Sequence, residues 1–173
     1  LACVTCHGEA GNSTLEANPN LAQQPFEYIV KQLNDFNSKR EGASAPRLAA
    51  GGAPSIMASI AAGMTEEEIR DVAFYLSQQK LDLETAPTAT NLETLERGQQ
   101  IWRGGLPERG VAACAACHAP NGAGIPGQYP RLSGQFPSYI AEQLHLFRSG
   151  HRDNQVMMHD IADRMSDKDI DAV

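Results

Sequence analysis

The segment Cys3-Val-Thr-Cys6-His7 decides how this sequence is interpreted, because it recurs as Cys114-Ala-Ala-Cys117-His118, 111 positions later. An internal repeat of this kind indicates how a chain is divided into structural units, even before its helices and strands are assigned. The same offset pairs further residues: Pro19 with Pro130, Tyr28 with Tyr139, Gln32 with Gln143, and Phe36 with Phe147. The offset then falls to 101, and it pairs Met57 with Met158 and Thr65 with Ser166. The chain therefore contains two copies of one unit.

A repeat of this length indicates a duplicated domain, since solenoid units are only about 20 to 50 residues long. We predict a first domain over 1–81, a linker over 82–90 and a second domain over 91–173. The linker prediction depends on a segment that contains Pro87 and lacks hydrophobic periodicity. The first copy also holds ten extra residues between Phe36 and Met57. This insertion, rich in Ser, Gly, Ala and Pro, predicts a surface loop over 38–54.

Both units have helical patterns. Hydrophobic residues at helical spacing predict helices from Phe26 to Phe36 and from Phe136 to Phe147. Capping-box signatures open further helices at 65–68 and 166–169. One more helix is predicted over 91–103, with Leu92, Leu95 and Trp102 facing inward. No alternating pattern indicates a strand, so the predicted fold class is all-α.

Composition excludes several classes of protein. The 173 residues are 42% hydrophobic and 20% charged, which argues against wholesale disorder. A net charge of −7 argues against binding to nucleic acid, whose phosphates need a basic face. No stretch provides the roughly 20 apolar residues of a membrane span. No signal peptide is visible, and the second copy's opening helix has no counterpart in the first. We therefore expect a mature or trimmed chain.

The recurring motif favours covalent haem. Two thiols can bond the vinyl groups of the porphyrin while the adjacent histidine ligates the iron. Only 6% of the residues are aromatic, which suggests that another group helps to fill two small cores. The alternatives are a thioredoxin-like dithiol, a zinc site and structural disulfides. The predicted sites comprise two haem c groups, attached at Cys3, Cys6, Cys114 and Cys117, with His7 and His118 as iron ligands.

Methionine is the candidate for the sixth iron ligand. Of the five methionines, Met57 and Met158 recur eight residues before the capping residues Thr65 and Ser166, and each follows a loop. Met64 and Met165 also recur, but they precede the capping residues, where a hydrophobic staple is expected. Met157 corresponds to an isoleucine, so an aliphatic residue can replace it. We therefore predict Met57 and Met158 as axial ligands. His145, His151 and His159 do not recur, and we expect them at the surface.

Two prolines are candidate supports for the histidine ligands. A ligating histidine normally donates its second ring N–H to a fixed acceptor. The carbonyls of Pro19 and Pro130 lie at equal sequence distances after the two histidines. On the residues alone, these prolines either accept that hydrogen bond or only shape a turn.

These residues resemble the di-haem cytochrome c4 family, in which two class I cytochrome c domains lie in tandem. The matching segments span nearly the whole chain: Cys3–Gly8, Pro19–Leu21, Tyr28, Met57, Thr65–Ile69, Ala116–His118, Tyr129–Gln135 and Met158. The resemblance implies two His/Met haems and domains that face one another with haem propionates near the interface. It also favours Pro19 and Pro130 as hydrogen-bond acceptors. The family's first helix and the rest of its last one are missing here.

The resemblance further implies a periplasmic electron carrier, not an enzyme, that delivers electrons towards a terminal haem–copper oxidase. Its partners would be that oxidase and an upstream donor, such as a quinol:cytochrome c oxidoreductase or a copper protein. Peripheral membrane association, oligomeric state and the individual potentials stay open. The rival functions are the electron-accepting haem subunit of a periplasmic dehydrogenase, a di-haem peroxidase and a gas or redox sensor. The matched methionines argue against an open, ligand-binding iron.

The two copies differ in charge. Through residue 85 the sequence carries 6 Lys/Arg and 11 Asp/Glu, a net charge of −5, whereas the remainder carries 8 and 10, a net charge of −2. Such asymmetry can orient an encounter with a charged partner. We therefore expect a basic or neutral partner to dock on the first unit.

Overall fold

The computed structural model describes residues 2–37, 47–84, 86–89 and 91–173, and these residues form helices joined by loops. Within those ranges there are only isolated β-bridges and no strand, which confirms the predicted all-α class. No helix in them is long and apolar enough to cross a membrane. The helices are α1 (Ala2–His7), α2 (Phe26–Phe36), α3 (Ile56–Ala62), α4 (Glu66–Ser77), α5 (Leu92–Gly104), α6 (Cys114–His118), α7 (Pro137–Arg148), α8 (Val156–Asp163) and α9 (Asp167–Ala172).

The order of helices shows the duplication directly. Helices α1 to α4 recur as α6 to α9, and α5 precedes the second set. In the first set α2 packs against α3 and α4, whereas in the second α7 packs against α8 and α9. Helix α5 adds contacts with α6 and α9. Each set therefore encloses its own hydrophobic core around equivalent helices.

The two cores share two equivalent buried side chains, Leu33 with Leu144 and Ile69 with Ile170. The first core contains Ile29, Leu33, Ile69, Ala73 and Leu76. The second contains Ile101, Leu106, Val111, Leu144, Phe147, Ala162, Met165 and Ile170. The central helix of each core, α2 or α7, presents the apolar residues that its helical spacing predicted.

Both predicted capping boxes are present. Glu68 N donates to Thr65 Oγ1 at 3.2 Å, and Thr65 N donates to Glu68 Oε2 at 2.7 Å. Ser166 and Asp169 make the same reciprocal pair at the start of α9. These bonds satisfy backbone N–H groups that have no partner within the helix, so each box fixes where its helix begins.

The predicted inward face of α5 is wrong at its first two positions. Leu92 is 74% exposed and Leu95 is 38% exposed, whereas Gly98 and Ile101 are buried. The cause is the crossing of α9, because a Cβ added at Gly98 would lie 1.9 Å from the carbonyl oxygen of Ala172. Close helix contact at a glycine therefore decides which face is buried, and hydrophobicity alone did not reveal it.

The predicted surface loop is confirmed at Ala50, Gly51, Ala53 and Pro54, which are exposed, but it is wrong at the start of its described part. Residues 38–46 of the insertion lie outside the described residues. Arg47, however, is only 7% exposed, and it forms an isolated β-bridge with Arg152 of the second half. Leu48 N donates to the carbonyl oxygen of His151 at 2.8 Å. Arg47 and Leu48 of the insertion therefore contact the second half of the chain.

Candidate haem sites

Each Cys-x-x-Cys-His motif lies on a single short helix. Helix α1 carries Cys3, Cys6 and His7, and α6 carries their counterparts. The four thiols are partly buried and form no disulfide with one another. The residue after each histidine, Gly8 or Ala119, has a positive φ of 74° or 66° and ends the helix. Each motif thus places two thiols and an imidazole on one compact turn.

Both motif histidines are buried and hydrogen-bonded in the same way. His7 is 7% exposed, and its Nδ1 lies 2.9 Å from the carbonyl oxygen of Pro19. His118 is 6% exposed, and its Nδ1 lies 3.0 Å from the carbonyl oxygen of Pro130. Because a carbonyl can only accept, Nδ1 must carry the proton, and this leaves the lone pair of Nε2 for a metal.

Burial also selects the metal-binding form of these histidines. It lowers the pKa of His7 and of His118 below the usual value, while the hydrogen bond to the proline carbonyl partly opposes that shift. Each imidazole is therefore held neutral near pH 7, and only the neutral form coordinates iron.

A glycine carbonyl holds each proline loop in place. Gly11 O accepts from Leu21 N at 2.8 Å and from Ala22 N at 3.1 Å. In the second half, Gly122 O accepts from the equivalent pair, Leu132 N and Ser133 N, at 2.8 and 2.9 Å. The segment carrying the acceptor proline is therefore anchored just beyond Pro19 and Pro130. The prolines do more than shape a turn, since their carbonyls orient the imidazoles.

Met57 and Met158 occupy equivalent places near the start of α3 and α8. Both are half-buried and lie against the core of their own half. Two of the other methionines differ in burial, since Met165 is 4% exposed within the second core and Met157 is 48% exposed. Met64, however, is half-buried against the first core, as Met57 is. Burial therefore does not separate Met57 from Met64, and the assignment of Met57 and Met158 stays a prediction.

The remaining histidines bond to protein atoms. His159 Nδ1 lies 2.6 Å from the carbonyl oxygen of Phe147, and His151 Nδ1 lies 3.0 Å from Ser149 Oγ. His145 contacts a guanidinium nitrogen of Arg148 at 2.9 Å. All three are half-buried, whereas the sequence predicts that they lie at the surface. Their contacts indicate structural roles.

A cavity of about 930 Å³ joins the two halves. Its lining contains every predicted site residue: Cys3, Cys6, His7, Pro19, Met57, Cys114, Cys117, His118, Pro130 and Met158. All five methionines border it, so the lining alone does not select two of them. The cavity therefore brings together the thiols, imidazoles and thioethers that two haem groups require.

The cavity also holds a buried arginine from the insertion. Arg47 Nη1 donates to Gln32 Oε1 at 3.1 Å, and its Nη2 donates to Gln143 Oε1 at 2.8 Å and to Tyr139 Oη at 3.3 Å. Its guanidinium lies 4.3 Å from the centre of the Phe36 ring. Three of these four partners are neutral polar groups, and two of those belong to the other domain.

Arg152 repeats the arrangement from the second half. Its Nη1 donates to Gln143 Oε1 at 2.8 Å, and its Nη2 donates to Gln32 Oε1 and Tyr28 Oη, both at 3.1 Å. It lies 4.3 Å from the centre of the Phe147 ring. Burial would raise the pKa of Tyr28, but the charges of the two arginines lower it overall. The electrostatic field in this part of the cavity is therefore positive.

The two arginines test whether haem fits. Arg47 and Arg152 are 7% and 5% exposed, and neither makes a salt bridge with a described carboxylate. Buried charges are normally paired, because desolvation without a counter-ion is costly. Haem carries propionates, which would supply anions to a cavity lined by these guanidiniums. The residues present therefore fit the group.

Sequence reasoning did not identify these arginines. They lie in the stretch where the repeat loses its register, at positions 47 and 152, so no paired alignment revealed them. Their partners did carry a signal. The Tyr28/Tyr139 and Gln32/Gln143 pairs recur on helices whose other repeated residues are apolar. Polar residues repeated on such a face indicate a shared polar interface.

Comparison with known proteins agrees with this geometry. The family model described as cytochrome c matches residues 1–80 and 95–173. The chain is 39% identical over 177 residues to cytochrome c4 of Thiocapsa roseopersicina, covering 99% of this chain and 83% of that protein. It is 35% identical over 182 residues to the thiosulfate dehydrogenase electron acceptor of Stutzerimonas stutzeri strain A1501, covering 100% of this chain and 76% of that protein.

A solved structure shows the same fold. The crystal structure of reduced recombinant cytochrome c4 from Pseudomonas stutzeri superimposes with a TM-score of 0.83 at 34% identity. The match covers 99% of this chain and 89% of that one. The two tandem cytochrome c domains are thus common to both proteins. The chain therefore belongs to the cytochrome c4 family of electron-transfer proteins, which carry two covalently bound haem c groups.

Proposed function

We propose that this chain is a periplasmic carrier that delivers electrons from a membrane or copper-protein donor to a terminal haem–copper oxidase. In each domain the two thiols attach one haem, while a histidine and a methionine ligate its iron. The proposed residues are Cys3, Cys6, His7 and Met57 in the first domain, and Cys114, Cys117, His118 and Met158 in the second. The carbonyls of Pro19 and Pro130 orient the histidines. We place the boundary between the domains in the linker over 82–90.

The equivalence of the two sites carries this proposal. Each half presents a buried, neutral imidazole and a half-buried methionine that border one cavity. A histidine and a methionine together would leave no open position on the iron, which suits electron transfer better than ligand activation. The peroxidase and sensor alternatives need an iron that opens.

The surrounding residues would hold the ligands of each site in place and influence its reduction potential. The proline carbonyls fix the ring orientation of His7 and His118. Met57 and Met158 pack against the hydrophobic core of their own domains. The buried charges of Arg47 and Arg152 favour the reduced state of nearby groups by attracting negative charge. When bound, each haem supplies a reversible one-electron couple.

The two sites differ in their surroundings. Asn154 Nδ2 donates to Asp35 Oδ2 at 2.7 Å, and Arg152 Nε donates to Asn154 Oδ1 at 3.2 Å. The repeat pairs Asp35 with Leu146, which has no carboxylate. Arg47 therefore has no equivalent chain of hydrogen bonds that ends on a carboxylate. We therefore expect two separate midpoint potentials rather than one.

Spectroscopy tests whether both irons are closed. The purified protein is reduced and exposed to carbon monoxide, and the oxidised protein is mixed with peroxide. We expect no carbon monoxide adduct, no rapid peroxide turnover and a methionine–iron band in the far red. A stoichiometric adduct or rapid turnover would instead support an enzyme or a sensor.

A second candidate function is electron acceptance from a dehydrogenase. The similarity to the thiosulfate dehydrogenase electron acceptor of S. stutzeri favours this alternative. Stopped-flow mixing discriminates the two: the oxidised chain is mixed with thiosulfate dehydrogenase plus thiosulfate, and the reduced chain with a haem–copper oxidase. Fast oxidation by the oxidase with slow reduction by the dehydrogenase supports the carrier. Fast reduction with negligible oxidation by the oxidase supports the alternative.

The acidic first domain is the proposed docking side for a basic or neutral partner. Glu66, Glu67 and Asp71 are exposed on α4. With a basic partner, we expect the second-order transfer rate to fall as salt screens these charges. The double variant Glu66→Gln/Glu67→Gln should lose most of this salt dependence, whereas Asp171→Asn in the second domain should retain it. A rate independent of ionic strength would remove the proposal.

A further inference from the structure

Two glutamines connect the domains at equivalent positions. Gln24 and Gln135 are separated by the 111-residue offset of the repeat, and they are 6% and 9% exposed. Each carboxamide bonds to both backbone groups of a single residue in the opposite domain. Such doubly bonded contacts fix both position and orientation, and their burial keeps water from competing.

The first of these contacts reaches the second domain. Gln24 Nε2 donates to the carbonyl oxygen of Arg131 at 2.8 Å, and Arg131 N donates to Gln24 Oε1 at 3.1 Å. The N–H of Arg131 and the carbonyl of Pro130 belong to the same peptide group. That carbonyl accepts from Nδ1 of His118 at 3.0 Å. One planar peptide therefore separates Gln24 from the imidazole of the other domain.

The second contact repeats this arrangement with the two domains exchanged. Gln135 Nε2 donates to the carbonyl oxygen of Asn20 at 3.0 Å, and Asn20 N donates to Gln135 Oε1 at 2.9 Å. The N–H of Asn20 shares its peptide group with the carbonyl of Pro19, which accepts from Nδ1 of His7 at 2.9 Å. Asn20 Nδ2 adds a bond to the carbonyl oxygen of Gly134 at 2.9 Å.

We infer that Gln24 and Gln135 are crossed positioning residues: each glutamine sets the hydrogen bond of the histidine ligand in the other domain. An amide whose N–H is hydrogen-bonded becomes a better acceptor at its oxygen, because hydrogen bonds in a chain polarise one another. A stronger acceptor draws the Nδ1 proton and makes the imidazole a stronger donor to iron. The inference depends on His7 and His118 being iron ligands, as proposed above.

This arrangement links the two sites without a direct contact between them. Gln135 of the second domain acts on the His7 site, and Gln24 of the first domain acts on the His118 site. A change at either glutamine contact therefore alters the ligand field of the iron in the opposite domain. Loss of one glutamine weakens the acceptor carbonyl, reduces donation from the imidazole and raises the potential of the opposite haem.

The experiment uses the holoprotein and the variants Gln135→Met and Gln24→Met, whose side chains are similar in length and cannot form these bonds. Haem stoichiometry is measured first, so that failure of ligation is seen separately from failure of the crossed effect. Midpoint potentials come from redox titration. Proton NMR of the oxidised protein assigns each potential through the hyperfine-shifted Nδ1–H of His7 and His118, which lie near Pro19 and Pro130.

We expect a crossed pattern. Gln135→Met should shift the His7 site by about threefold in its reduction equilibrium, which is about 28 mV at 59 mV per tenfold. It should leave the His118 site within error, and Gln24→Met should do the reverse. The control is Ser138→Ala, which removes the Ser138 Oγ donation to Glu16 across the same interface but touches neither proline peptide. The control should shift neither site.

Three results would overturn the inference in haem-loaded variants: no shift, a shift confined to the variant's own domain, or equal shifts at both sites. If Gln135→Met does not bind two haems, Gln135→Glu provides the second test. Gln135→Glu keeps an acceptor for Asn20 N–H and adds negative charge. We therefore expect a lower potential at the His7 site and a changed chemical shift of the His7 Nδ1–H. An unmoved resonance would contradict the inference.

Discussion

Asp169 offers the sharpest test of what stabilises the second domain. This carboxylate is 3% exposed at the start of α9. Arg97 of α5 donates to Oδ1 through Nη2 at 2.8 Å and through Nε at 3.2 Å. Arg109 donates to Oδ2 at 2.8 Å, and Ser166 closes the capping box. A single side chain thus joins α5, the turn after it and α9.

The pKa of Asp169 gives the size of the effect. Burial raises that pKa, but the hydrogen bonds from Ser166 and Arg97 outweigh burial and lower it from 3.8 to about 2. This lowering of the pKa corresponds to roughly 2 kcal/mol, since one pKa unit is equivalent to about 1.4 kcal/mol. Both arginine side chains are 44% exposed, so solvent screening reduces the expected value to about 1–2 kcal/mol.

The direction of the pH dependence follows from the difference between the folded-state and unfolded-state pKa of Asp169. Because the folded-state pKa lies below the unfolded one, the stabilisation is fully present above pH 3.8. It is lost as the pH falls from 3.8 towards 2. Substitution of the carboxylate should therefore matter at neutral pH and become irrelevant in acid.

The assay is denaturant unfolding of the holoprotein carrying Asp169→Asn. At pH 7 the variant should lose about 1–2 kcal/mol of unfolding free energy, and the difference from the unsubstituted protein should vanish near pH 2. Glu68→Gln is the matched control, because Glu68 closes the equivalent capping box without an arginine partner and is exposed. An Asp169→Asn variant as stable as the parent at pH 7, or a deficit that persists unchanged at pH 2, would refute the reasoning.

Three further predictions concern single substitutions. Gly98→Ala should destabilise the holoprotein by about 1–3 kcal/mol in denaturant unfolding, because its Cβ would meet a backbone oxygen of α9, whereas Gly104→Ala, with open space around it, should not. Ala119→Gly should stabilise it by about 1 kcal/mol, since φ 66° and ψ 153° suit glycine; a lower unfolding midpoint would contradict this. Met57→Ala and Met158→Ala should each open one iron, so that reduced protein binds one equivalent of carbon monoxide by optical titration; no binding would show that the methionine is not a ligand.

The local elements of this fold could be predicted from the sequence. The spacing of Phe26, Ile29 and Leu33 defines the core face of α2, and the two capping boxes define where α4 and α9 begin. The repeat also narrows the candidate iron ligands, since it pairs Met57 with Met158 at a register distinct from that of Met64 and Met165. These signals are local or repeated, and both properties are visible without coordinates.

The contacts between domains could not be predicted in the same way. Arg47 is a charged residue in a segment rich in Ser, Gly and Pro, which is typical of a surface loop. It is buried because amide, phenol and aromatic groups from both domains surround it. Likewise, Gly98 gives no hydrophobic signal, and only the approach of α9 shows why α5 turns that face inward. Long-range packing decided both outcomes.

The most direct test of the central claim is intact and peptide-level mass spectrometry of the purified protein. The proposed sites predict two covalently bound haems per chain, one on the peptide containing Cys3 and Cys6 and one on the peptide containing Cys114 and Cys117. A mass equal to the bare polypeptide, or both motifs recovered as free thiols, would contradict it.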